Sequence, residues 1–178
     1  CSGNPFKTIG KKSHMNKFKT EIKWGLIFMC VTLLWMLLER LTGLHSTHIN
    51  KHAIYTNFFA FIAIAVYVFA LRDKRSTDLD GKMTYKEGLR SGAIISIIVG
   101  VLSPFGQLIT AYIISPNYFE NAIAYGVANG LKSQADAEAY FNLKNYIIQS
   151  TIFAPVMGVI TSAVVAFFLK AKPETSEI

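Results

Sequence analysis

Four side chains able to bind a metal ion or hold a proton fall close together in this chain: Glu39, His45, His48 and His52. They lie in the stretch ERLTGLHSTHINKHA, residues 39–53, which holds three of the four histidines. On a continuous helix the i, i+3, i+7 spacing brings the three imidazoles within about 60° of one another, since each residue advances by roughly 100°. Imidazole is the commonest metal-binding side chain and the one that titrates nearest neutral pH. Against a continuous helix stand Gly43, which predicts the end of one helix, and Asn50, which predicts the N-cap of the next. That arrangement leaves His45 and His48 in a turn and only His52 on a helix, with Glu39 on the preceding helix as a fourth ligand or as the partner of Arg40. The sequence favours a wet interfacial turn over a metal site or a proton-sensing one. On that reading, protein purified without a His tag holds substoichiometric zinc, nickel and copper.

Little else suggests chemistry. There is no Gly-rich phosphate loop, no G-x-S-x-G elbow, no H-E-x-x-H and no cysteine pair for zinc. The expectation is therefore a protein without catalytic residues or cofactor. Cys30 sits in an apolar run and says nothing about redox compartment.

Composition says where such a turn would sit. Apolar residues make up 52% and charged residues 16%, against about 25% charged in soluble domains. The charges are clustered, leaving four long apolar runs at about 24–43, 54–71, 89–114 and 145–169. A crossing of the hydrocarbon core takes about 20 predominantly apolar residues. The expected fold class is all-α: a polytopic membrane protein with four transmembrane helices and an outer helical hairpin between the third and fourth. Residues 15–172 form one domain and 173–178 a tail. Residues 1–14 read as cloning-derived sequence, because Ser13-His14-Met15 looks like a vector junction. The alternative is that Cys1-Ser2-Gly3 is the processed end of a lipoprotein.

The net charge of +7 does not point to nucleic acid. Counting from Lys17, eleven basic residues fall at one side of the four spans and four at the other. Basic residues accumulate on cytoplasmic loops, so both termini are expected in the cytoplasm. Thr84 and Glu87 make a capping box that starts the third helix near Tyr85. Ser115-Pro116 reads as N-cap and first residue of an outer helix. Asn129-Gly130 ends that helix, and Ser133 restarts one expected to run unbroken into the fourth span.

Within the spans the polar residues are Asn57, Gln107 and Gln149, expected to bond across helices as structural glue. No ionisable residue falls deep in a span, which argues against proton-coupled transport. Pro104 and Pro155 each remove a backbone bond. Small residues recur every four positions: Gly92, Ser96 and Gly100 in the third span, Ala154, Gly158, Ser162 and Ala166 in the fourth. Such stripes let helix backbones approach in lipid, within one chain or between two copies.

Four further motifs carry a resemblance: Leu37-Leu38-Glu39 with Gly43-Leu44-His45; Lys82-Met83-Thr84-Tyr85-Lys86-Glu87-Gly88; Ser115-Pro116-Asn117-Tyr118-Phe119; and Ala139-Tyr140-Phe141-Asn142-Leu143-Lys144. In their order and spacing the chain resembles a bacterial family of small four-helix membrane proteins, domain of unknown function forty-one ninety-nine. The resemblance implies an integral protein of the bacterial inner membrane and brings no activity or site residue with it.

The sequence supports a non-enzymatic protein whose partners are the lipid bilayer and a second copy or another membrane protein. The alternatives are a small oligomeric transporter or channel, and an outer-surface metal or pH sensor. Reporter fusions after Arg75 and after Lys172 are expected to report cytoplasm, and fusions near Asn50 and Lys132 the opposite side. An outward-facing Arg75 fusion would overturn this orientation.

Overall fold

A computed structural model describes residues 18–171. The segments at 1–14 and 173–178 that the sequence sets apart lie outside the described residues. The chain is an all-α bundle: α1 (Lys19–Leu41), α2 (Ile49–Tyr55), α3 (Phe59–Asp78), α4 (Tyr85–Ile109), α5 (Tyr118–Ala128), α6 (Gln134–Tyr140) and α7 (Leu143–Leu169). A 3-10 turn, Thr56–Phe58, joins α2 to α3, and a π-turn, Thr110–Ile114, extends α4. Four stretches are long and apolar enough to cross a membrane: Lys19–Leu41, Ile49–Asp78, Tyr85–Ile114 and Leu143–Leu169. Each begins before its apolar run, and the second also continues beyond it. Hydropathy marks only the part that needs lipid, while capped polar turns prolong the helix on either side.

Three connections differ from the sequence expectation. Helix α2 starts at Ile49 with His48 as its N-cap, two residues ahead of Asn50. Helix α5 starts at Tyr118 behind Asn117; Ser115 instead closes the π-turn by donating its amide to Thr110 O at 2.7 Å. The helix restarted by Ser133 does not run into the last span. It stops at Tyr140, and Asn142 caps α7 by accepting from the Asn145 amide at 3.0 Å. A capping side chain at Asn142 satisfies the new helix start better than a continuous helix through Phe141-Asn142 would.

The scaffold is the antiparallel pair α4 and α7. A Cβ placed on Gly88 would lie 2.8 Å from the Ala166 Cβ; one on Gly92 would strike Ser162, and one on Gly100 would strike the Pro155 ring. A Cβ on Gly158 would strike the Tyr67 hydroxyl and Ser96. The small residues of the two spans therefore meet each other inside one chain. Ser96 and Ser162 return their hydroxyls to the carbonyls of Gly92 and Gly158, one turn back, so neither exposes an unmet donor to the seam. Tyr67 of α3 reaches the same seam and bonds Ser96 Oγ at 2.7 Å. Around it pack Ala70, Leu71, Met83, Ile95, Val99 and Val165.

One end of the bundle is strongly basic and tightly tied. The Ala171 amide donates to Met83 O, and Arg75 donates to the carbonyls of Gly81 and Leu169. Glu21 of α1 is fully buried there, with Oε1 2.8 Å from Lys74 Nζ and 2.9 Å from Ser91 Oγ. Lys74 also pairs with Asp78, which accepts from Thr20. Asp73 accepts from Trp24 and pairs with Lys23.

Because the seam is filled, Gly158→Ile is expected to destabilise the monomer by about 1–3 kcal/mol or more through overpacking. The control, Val159→Ile, lies one position round the helix on an exposed face and should be near silent. Unfolding in mixed micelles and detergent-resolved mass check this. Dissociation of an oligomer with an unchanged monomer would show that the seam faces a second copy.

Candidate functional site

At the end opposite the basic one, α1 stops in a way that builds a site. The Leu44 amide donates to Glu39 O and the Gly43 amide to Arg40 O, a six-to-one and five-to-two pair that closes a helix C-terminus. Gly43 stands at φ +78, and a Cβ there would meet Thr47 Oγ1 at 2.5 Å and His48 Nδ1 at 2.9 Å. Only glycine satisfies both the left-handed backbone and the lack of room. The reversal sends the chain back over the last turn of α1, so that His45, six residues past Glu39, returns to its carboxylate.

Glu39 is 1% exposed and His45 4% exposed. His45 Nε2 lies 3.1 Å from Glu39 Oε2, and His52 Nε2 of α2 lies 3.4 Å from the same oxygen. Trp35, one turn back on α1, donates its indole N–H to Glu39 Oε1 at 2.6 Å. The three ligand atoms of Glu39, His45 and His52 all lie within 4.8 Å of one another. His48 is not of this group: its Nδ1 faces Thr42 O at 3.1 Å and Thr47 Oγ1 at 3.4 Å. Arg40 is not Glu39's partner either, since it donates to Ile113 O. Glu39 thus sits among two imidazoles and an indole, with the ion-pair role on the imidazoles.

Helix α5, between the third and fourth spans, covers this cluster. The Tyr118 ring of α5 packs on both imidazoles, with centroids 4.9 Å from His45 and 5.3 Å from His52, and its hydroxyl meets that of Tyr146 at 3.1 Å. Burial, reinforced by Tyr146, pushes the Tyr118 phenol far above its ordinary range, so it stays protonated. Asn121, one turn on, donates to His45 O at 2.9 Å. Beneath the cap lies a cavity of about 190 Å³ lined by His45, His52, Gln107, Thr110, Tyr118 and Tyr146 among others. The π-turn widens the helix at its Thr110 and Ala111 wall; such bulges recur at functional sites.

Of the intramembrane polar residues, Gln107 thus faces the cavity. Asn57 turns back to α2, donating to Ala53 O at 2.6 Å, and Gln149 is half-buried on α7. The sequence did not point to the Trp35 and Tyr118 contacts or to Glu21 as a buried carboxylate. One signal was present: Glu21 and Glu39 are eighteen residues apart on α1, five full turns of about 3.6 residues, so both carboxylates share the face that meets the bundle.

Four membrane-length apolar helices packed on one another define the class: this is a multi-pass membrane protein. Within that class, the chain belongs to the family described as "Protein of unknown function (DUF4199)", whose family model matches residues 23–171. No curated protein and no solved structure matches the chain.

Gly43→Ala forces a side chain into a left-handed backbone, which costs roughly 1–2 kcal/mol, and pushes on His48. In a Trp24→Phe background Trp35 is the sole indole, so its emission reports the Glu39 bond. Gly43→Ala is expected to lower unfolding stability by at least that amount and shift Trp35 emission. Unchanged emission would show that the helix reversal does not position the cluster.

Proposed function

We propose that this is a non-enzymatic protein of the bacterial inner membrane that senses its outer surroundings through the Glu39–His45–His52 cluster and acts on a membrane partner rather than on a substrate. Both termini and the basic end face the cytoplasm in this reading, which puts the cluster outside. The observation that carries it is Glu39: a carboxylate 1% exposed whose ion-pair partners are two imidazoles, shared between α1, the turn and α2. A buried anion costs several kcal/mol unless a positive charge accompanies it. The state of the cluster is therefore coupled to a cation, and Tyr118 and Asn121 couple it to the cap.

A partner role resting on the small-residue stripes has less support, because α4 and α7 use those stripes on each other. Transport has less support as well: between the two polar ends the interior is filled by Phe28, Tyr67, Ile95 and Val99.

Hydrogen exchange tests the coupling. In Glu39→Gln, amides of residues 44–55 and 118–128 are expected to exchange faster, while those of residues 91–103 keep wild-type protection. Unaltered exchange across 118–128 would reduce the cluster to a local turn and sink the sensing role.

A further inference from the structure

We propose that Glu39, His45 and His52 are the protein ligands of one divalent transition-metal ion, such as zinc or cobalt, with its open position toward the cavity under the cap. The proposal rests on reading this cluster as the functional site and names the cation. It reverses the expectation of an unoccupied turn that the sequence favours.

Geometry is the first support. Zinc binds imidazole nitrogen and carboxylate oxygen at about 2.0–2.2 Å, so neighbouring ligands at tetrahedral angles stand about 3.3–3.6 Å apart. The two observed separations from Glu39 Oε2 are 3.1 and 3.4 Å. The remaining one, between the imidazoles, is at most 4.8 Å. Closing it requires the rings to turn toward each other. No hydrogen bond at His45 Nδ1 opposes such a turn.

The donor set is the second support. Two imidazoles and one carboxylate suit zinc, cobalt, nickel or copper, whereas magnesium and calcium prefer all-oxygen shells. Trp35 supplies the outer shell by holding the second carboxylate oxygen, the kind of contact that orients a ligand. Three protein ligands beside a cavity of about 190 Å³ leave a fourth position for water or a small anion.

The test uses the full chain without an affinity His tag, stripped with chelator in detergent micelles and titrated with cobalt chloride. The expected result is a visible d–d absorption of tetrahedral cobalt that saturates at one ion per chain and is displaced by zinc but not by magnesium. Loss of an outer-shell partner costs about 10–100-fold in affinity, so Trp35→Phe should weaken binding by that factor at unchanged stoichiometry. His52→Ala removes a ligand while leaving the Glu39–His45 pair, and should weaken binding at least about 100-fold. His48→Ala should bind as wild type. Absence of saturable one-per-chain cobalt binding, or binding kept in His52→Ala and lost in His48→Ala, overturns the proposal. The two readings fail separately. Faster exchange in Glu39→Gln without cobalt binding removes the metal and leaves the sensing cluster, while cobalt binding without that exchange removes the sensing role alone.

Discussion

Apolar side chains gain nothing by leaving lipid for protein, so helices in a bilayer hold together only where their backbones come close or polar groups meet. Here the first condition is met along the seam of α4 and α7. Glycine stands opposite serine, alanine or proline at each step of four residues: Gly88 with Ala166, Gly92 with Ser162, Ser96 with Gly158, Gly100 with Pro155. The regular alternation leaves no room for a side chain at these points and fixes the register of the two longest helices. Tyr67 extends the same logic to α3, since its hydroxyl occupies the space over Gly158 and bonds Ser96. The other spans dock on a surface that this pair creates.

Helix α1 relies on the second condition as well. Only 11% of its most apolar window is buried, and its closest approaches to α4 are two, Gly25 against Ile98 and Met29 against Gly106. Two buried glutamates, about 27 Å apart along the axis at 1.5 Å per residue, secure its ends. Glu21 is paired with Lys74 and Ser91 on α3 and α4, and Glu39 with His45 and His52 beyond the turn. The two ends differ in chemistry. Lys74 is a permanent cation of fixed stoichiometry, whereas two imidazoles become cationic only by taking up a proton and, when neutral, can ligate a metal. The basic end is a lock, and the histidine end is a lock whose closure depends on what is bound.

The elements legible from sequence were those governed by local rules. Four apolar runs gave four spans, the Thr84–Glu87 pair forms its capping box in the structure, and Gly43 ends α1. The connections were less legible where two local signals competed: Ser115-Pro116 has the residues of a helix start, yet the chain completes a π-turn there first, and Asn142 interrupts what Ser133 begins. The cluster itself was half legible. Spacing along an imagined helix grouped His45, His48 and His52, but the turn at Gly43 brings Glu39 to His45 and leaves His48 facing the backbone. Trp35, four residues before Glu39 on α1, lay within reach of the i, i+4 rule, whereas Tyr118 could not be read in advance, because it lies about seventy residues later on the cap. Nothing in the linear order ties Tyr118 of one connection to the imidazoles of another.

Stability alone does not account for a carboxylate and two imidazoles at this place. Well-packed apolar side chains of similar volume often serve a protein interior as well as, or better than, a buried ion pair. Tyr118, Phe119 and Tyr146 already close this end of the bundle with edge-on aromatic contacts. A turn that needed only to be soluble would leave its histidines in water, as His48 is left. His45 instead is buried with one ring nitrogen unmet, and Glu39 is buried where no lysine or arginine is seen to pair with it among the described residues. Three such residues converge here on one point, beside a cavity and beneath a cap built from a separate part of the chain. That convergence, more than any single distance, separates a site from a turn.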